Sequence, residues 1–200
     1  FVSVCKVVKN LRGARIGEVG PRPADLNTVR YSEKLLEKSQ ISVEPVGLLD
    51  FTRKAESLSD DSTRVKEKLS RINDYIDTEN APAPQLTKIA KLDIVLKEWV
   101  KEAGVDALAI QCWDTLQNEY GCNVCTSMSM LSNTGVPSAC EVDVCGAVSM
   151  LALQAASEKP SALLDWNNNY GEEENKAAVF HCSNFPKDFY AECEMNYANV

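Results

Sequence analysis

The chain has 200 residues, a formal net charge of −8, and 44% apolar and 25% charged residues. This is the composition of a globular protein with enough apolar material for one sizeable core. It excludes a membrane helix, for which no apolar run approaches the ~20 residues required, and a sequence pI near 4.8 argues against a main role on phosphate backbones.

The first apolar run in chain order is 14–19, and the turn Gly20-Pro21-Arg22-Pro23 follows it. Residues 26–38 predict a helix, with Leu26, Val29 and Leu36 on one face. A second apolar run is 41–46. The charged stretch 57–71 reads as a solvated helix face, with a helix predicted over 62–76. Residues 78–85, with Pro82-Ala83-Pro84, are linker-like. Beyond them 85–103 predicts a helix, because Leu86, Ile89, Leu92, Leu96, Trp99 and Ala103 recur at three- and four-residue spacing. Four more apolar runs, 107–112, 136–140, 162–164 and 177–180, read as strands, and 142–157 as a helix. The strand candidates are continuously apolar, not alternating. That pattern belongs to strands covered on both faces, hence to a parallel sheet. The expected architecture is α/β, a three-layer α/β/α Rossmann-like domain with a mostly parallel sheet.

Eight cysteines are too few for a disulfide scaffold, and several sit in apolar runs. They read as reduced, buried thiols of a cytoplasmic protein. The one C-x-x-C, Cys122 to Cys125, keeps open a zinc or redox reading. The chain starts at Phe1 and stops at N-Y-A-N-V, so both ends are read as cuts from a longer protein.

Ligands of open parallel sheets bind beyond the carboxyl ends of the strands. There the sequence places Glu141 and Asp143, Asp165 before Trp166-Asn167, the lone His181, and Gln111-Cys112-Trp113. Taken singly, each has an ordinary structural explanation. Glu141 is a helix-start acid, Asp165 a turn residue, and His181 a half-buried histidine. Glu141, Asp165 and His181 at three strand ends instead suit one divalent ion, Mn²⁺ better than Mg²⁺. Gly17-x-x-Gly20 lacks the spacing of a dinucleotide loop, and Pro21 removes a backbone donor. A Ser or Cys nucleophile would need the one histidine as its base, which argues against nucleophilic catalysis.

Three segments carry a resemblance: P-S-A-C-E-V-D-V-C-G-A over 137–147, L-L-D-W-N over 163–167 and F-H-C-S-N over 180–184. With Gly20-Pro-Arg-Pro and N-T-V-R-Y-S-E over 27–33, the chain resembles the L-fucose isomerase and L-arabinose isomerase superfamily, in particular its fucose isomerase-like branch. The most specific part is E-x-D-x-x-G at Glu141, Asp143 and Gly146. The resemblance implies a metal-dependent aldose–ketose isomerase, typically using Mn²⁺. It implies that Glu141 and Asp165 bind the metal and move a proton between C1 and C2 of the open-chain sugar through an ene-diol. His181 matches a metal-ligating histidine of the arabinose branch, and Gln111, Trp113 and Asn167 are the implied sugar-binding residues. Family members are more than twice as long. Residues 1–200 are therefore expected to be the single middle, metal-bearing domain of a homo-oligomeric isomerase, binding metal weakly and isomerising poorly or not at all alone. The partners expected are a small sugar, no nucleic acid and no membrane. Two rival readings stand beside this one: a non-catalytic sugar-binding or regulatory module of the same fold, and the C-x-x-C domain.

Overall fold

A computed structural model describes residues 1–181 and 184–196. Four strands form one all-parallel sheet: β1 (Arg15–Val19), β2 (Ser42–Val46), β3 (Ala107–Ile110) and β4 (Ser138–Ala139), in the order β2-β1-β3-β4. The helices are α1 (Val2–Leu11), α2 (Glu33–Lys38), α3 (Leu48–Ser57), α4 (Thr63–Tyr75), α5 (Ala83–Ala103), α6 (Cys125–Asn133) and α7 (Val144–Ser157). A five-residue π-helical turn spans Leu116–Tyr120.

β3 shows why the strands read as continuous apolar runs. All four of its residues are buried, but they serve different faces. Leu108 and Ile110 enter a core with residues of α3, α4, α5 and α6. Ala107 and Ala109 enter a second core with Val144, Ala147, Met150 and Leu151 of α7. Helices thus cover both faces, the three-layer α/β/α arrangement expected. β1 lets α5 come very close. A Cβ on Gly17 would lie 2.6 Å from the Trp99 ring and 2.7 Å from Leu108 Cδ2. That ring is itself pinned edge-on against Phe51, with centroids 5.5 Å apart. Gly17→Ala is expected to lower stability by about 1–3 kcal/mol through overpacking, read from the urea midpoint at unchanged slope.

The structure corrects the sequence reading in several places. Residues 162–164 form no strand. Ser161 Oγ donates to the Met150 carbonyl at 2.8 Å, and Leu163 packs against the α7-side core, so this segment closes off α7 instead of entering the sheet. β5 (Asp165–Tyr170) and β6 (Glu173–Phe180) pair antiparallel as a separate two-stranded ribbon, turning at Gly171 with φ +56°. The run 177–180 is therefore the end of an antiparallel hairpin strand. Its partner, D-W-N-N-N-Y, is exposed throughout, its Trp166 and Tyr170 included, and so carries no buried apolar pattern to read.

The helix predicted over 26–38 is broken. Asn27–Val29 make a 3-10 turn, Arg30 is extended, and α2 begins only at Glu33. Tyr31 Oη donates to Glu18 Oε2 at 2.8 Å, and Arg22 Nη1 donates to the carbonyls of Pro23, Ala24 and Leu26. These bonds fix the chain in a turn where side-chain periodicity suggested a helix. The linker-like prolines prove to be a helix start, with Pro82 as N-cap of α5 and Pro84 in its first turn. The solvated face of α4 has one exception: Lys68 is buried and ion-paired with Asp93 of α5. The cysteines are also not uniformly buried. Cys112, Cys122 and Cys140 are buried, Cys5 and Cys145 are exposed, and Cys182 lies outside the described residues.

Candidate functional site

The strand order decides where a site can form. β1 lies between β2 and β3, so the chain leaves β1 to one side, then crosses over to start β3 on the other. The loops after β1 and β3 diverge at this switch point, where open α/β sheets leave a crevice. Those loops carry Gly20-Pro21-Arg22-Pro23 and Gln111-Cys112-Trp113, and the loop after β4 carries Glu141.

The first two loops are tied together. Gly20 N–H donates to the Val46 carbonyl and Gln111 N–H to the Val19 carbonyl, both at 2.9 Å. Gly20 has φ +80°, and a Cβ there would stand 2.5 Å from Gln111 Oε1, so glycine is required on two counts. Gln111 is buried, and its Nε2 donates to the Trp113 carbonyl at 3.0 Å and to Thr115 Oγ1 at 3.3 Å. Its amide thus shapes the loop that presents Trp113, whose side chain is half exposed.

The third loop is a tight left-handed turn. Glu141 has φ +61° and Val142 φ +58°. Two consecutive non-glycine residues in this region carry strain of order 1–3 kcal/mol each, the kind that surrounding structure must hold in place. Val142 N–H donates to the Ile110 carbonyl at 3.2 Å and Asp143 N–H to the Cys140 carbonyl at 2.9 Å. The turn also explains why α7 begins at Val144, two residues later than the periodicity suggested. Asp143 is the N-cap, and its Oδ1 accepts from Gly146 N–H at 2.7 Å.

Asp143 also shows which groups share its surroundings. Burial pushes its carboxyl above the usual carboxylate range; the N–H groups of Gly146 and Cys145 pull it back, Asp165 raises it and His181 lowers it. Asp165 and His181 reach this position from the base of the ribbon. Asp165 opens β5 and stands opposite Phe180, the residue before His181. The imidazole is 7% exposed and meets the Phe185 ring edge-on at 6.2 Å. Asp165 and His181 therefore come together across a hairpin, not as ends of neighbouring parallel strands. Asn167 lies at a register shift of the ribbon, between the pairs Trp166–Val179 and Asn168–Ala178, and is exposed. Asp143 was singled out in sequence only as part of a motif. Its signal as a cap was an acid immediately before an apolar helical run.

Among the described residues, no group of three or more His, Cys, Asp or Glu side chains is gathered closely enough to hold a metal ion. The donor types suit a borderline divalent ion, but these residues do not by themselves enclose one. The C-x-x-C is poorly placed for redox work. Burial pushes the Cys122 thiol up to about 12, with Lys88 offsetting only part of this, whereas a redox motif needs a thiolate near neutral pH. Iodoacetamide at neutral pH is expected to label exposed Cys5 well before Cys122, as read by peptide mass mapping; equal rates would contradict this burial.

No family model matches the chain. It is 27% identical over 180 residues to a sulfoquinovose isomerase of Alkalicoccus urumqiensis, covering 90% of this chain and 40% of that protein. It is 27% identical over 183 residues to one of Clostridium sp. (strain MSTE9) and 24% identical over 187 residues to one of Priestia megaterium. The chain thus has homologues named as sugar isomerases, and it spans about 40% of their length.

Proposed function

We propose that the chain is one α/β domain, the middle one, of a longer sugar aldose–ketose isomerase. The observation that supports this most is the strained Glu141–Asp143 turn at the sheet's carboxyl edge, with Asp165 and His181 near enough to act on the Asp143 carboxyl, in a chain whose homologues are named as sugar isomerases. Moving a proton between C1 and C2 of an open-chain sugar needs a base to take it and an acid to return it. Glu141 and Asp165 fill these roles in this proposal, through an ene-diol. Gln111, by shaping the loop of Trp113, and Asn167 on the ribbon would border the sugar. The resemblance to the L-fucose and L-arabinose isomerases and the names of the relatives make L-fucose, L-arabinose and sulfoquinovose the substrates to try.

Mn²⁺ belongs to the same proposal, with Glu141, Asp165 and His181 contributing part of a ligand set that other parts of the full-length protein complete. When bound it would stabilise negative charge on the sugar oxygens. A cytoplasmic homo-oligomer is the proposed setting. Among the described residues, no helix is long and apolar enough to cross a membrane.

The test is an isomerase assay of the full-length protein with those three sugars, with and without Mn²⁺ after chelation. Ketose formation supports the proposal. Sugar binding without interconversion would replace it with the non-catalytic module.

A further inference from the structure

We propose that Asp143 is the positioning residue of this site: by capping α7 from inside the Glu141 turn, its carboxylate holds Glu141 in register with the base of the ribbon at Asp165. The kinetic part of this inference rests on the isomerase reading above.

Two observations carry it. Val142 is β-branched, 1% exposed and held at φ +58°, a conformation such a residue keeps only when neighbouring bonds impose it. The bonds on its carboxyl side converge on Asp143, whose N–H donates to the Cys140 carbonyl and whose Oδ1 accepts from Gly146 N–H at 2.7 Å. Secondly, the helix is bare where this carboxylate sits. A Cβ on Gly146 would lie 2.6 Å from Asp143 Oδ2 and 2.7 Å from Leu163 Cδ2. The glycine therefore admits both the carboxylate and the segment that leads, two residues on, to Asp165. The spacing E-x-D-x-x-G acquires a physical meaning: a strained acid, the cap that holds it, and the space for that cap. Ser62, which caps α4 by accepting from Val65 N–H at 3.4 Å, offers an ordinary cap for comparison.

The test compares Asp143→Ala, which removes the acceptor, with Asp143→Asn, which keeps it, and uses Ser62→Ala as a control cap. In the full-length protein Asp143→Ala is expected to lower kcat about 100-fold with KM within about twofold, as displacements of order 1 Å do. Asp143→Asn should restore most of that loss, and Ser62→Ala should lower the melting temperature without changing kcat. In the 200-residue chain, backbone ¹³C shifts of Glu141 and Val142 should lose their left-handed signature in Asp143→Ala and keep it in Asp143→Asn. If Asp143→Ala does not fold, Asp143→Gly replaces it, since glycine is tolerated at N-caps. Unchanged shifts, or lost shifts with kcat intact, would overturn the assignment. Should the wild-type protein convert no aldose, the isomerase reading falls, and the shifts alone decide the role of Asp143.

Discussion

Glu141→Gln and Asp165→Asn are each expected to lower aldose–ketose turnover of the full-length protein by about 10²–10⁴-fold, the usual worth of a positioned acid or base. Both changes keep the side chain's shape and hydrogen-bonding capacity while removing its ability to exchange a proton. Folding should survive. Asp165 is exposed at the start of β5, and Glu141 is half-buried in a turn held by backbone bonds. Circular dichroism and melting should therefore match the wild type while kcat collapses. The same variants test the proposed metal separately, by titration with Mn²⁺. Weaker binding in both would support carboxylate ligation, and unchanged affinity in both would remove Mn²⁺ from the proposal without touching the acid–base roles.

The largest expected effect on stability lies far from the site. Asp93 of α5 is fully buried and ion-paired with Lys68 of α4, itself 6% exposed, and Lys97 Nζ lies 3.4 Å from the same carboxylate. Asp93→Asn leaves a buried ammonium without its counter-charge and is expected to cost about 3–5 kcal/mol, whereas replacing Lys68 and Asp93 together by Met and Leu should cost clearly less, since only the partly exposed Lys97 then loses its partner. The pH dependence has a definite sign. Burial already holds Lys97 below its ordinary value, and Asp93 opposes that shift. Without Asp93 the folded-state value of Lys97 falls further below its unfolded value. The penalty from Lys97 is then fully present at neutral pH and shrinks as pH rises toward the unfolded lysine value of ~10.4. Urea unfolding at neutral pH and at about pH 9.5 should show the variant closing its gap with the wild type, once both are compared at the same pH.

The parts of the fold legible in the sequence are those where burial writes a pattern. β1, β2 and β3 fall within the expected runs 14–19, 41–46 and 107–112, and α5 fills the period seen over 85–103. The elements that escaped have no such pattern. α1 buries none of its residues although it packs on α7, and β5 is exposed along its whole length, with Trp166 and Tyr170 too isolated to write a burial period. Local chemistry also overrode periodicity, as where Arg22 and Tyr31 hold residues 22–31 in turns. For the site, the sequence pointed to the carboxyl edge and to E-x-D-x-x-G, but it placed Asp165 and His181 on parallel strands that do not exist.

What the chain determined by itself is composition and period: two covered faces, hence a parallel sheet between helices, with acids and one histidine beyond apolar segments. What only the tertiary structure decided is proximity. Strand order put the switch point between the loops after β1 and β3, an antiparallel hairpin brought Asp165 beside His181, and Asp143 became the group that senses both. The physical reason is that a repeating burial pattern is written along the chain, whereas strand pairing, the left-handed turn at Glu141 and the Lys68–Asp93 pair each depend on residues distant in sequence meeting across packed layers.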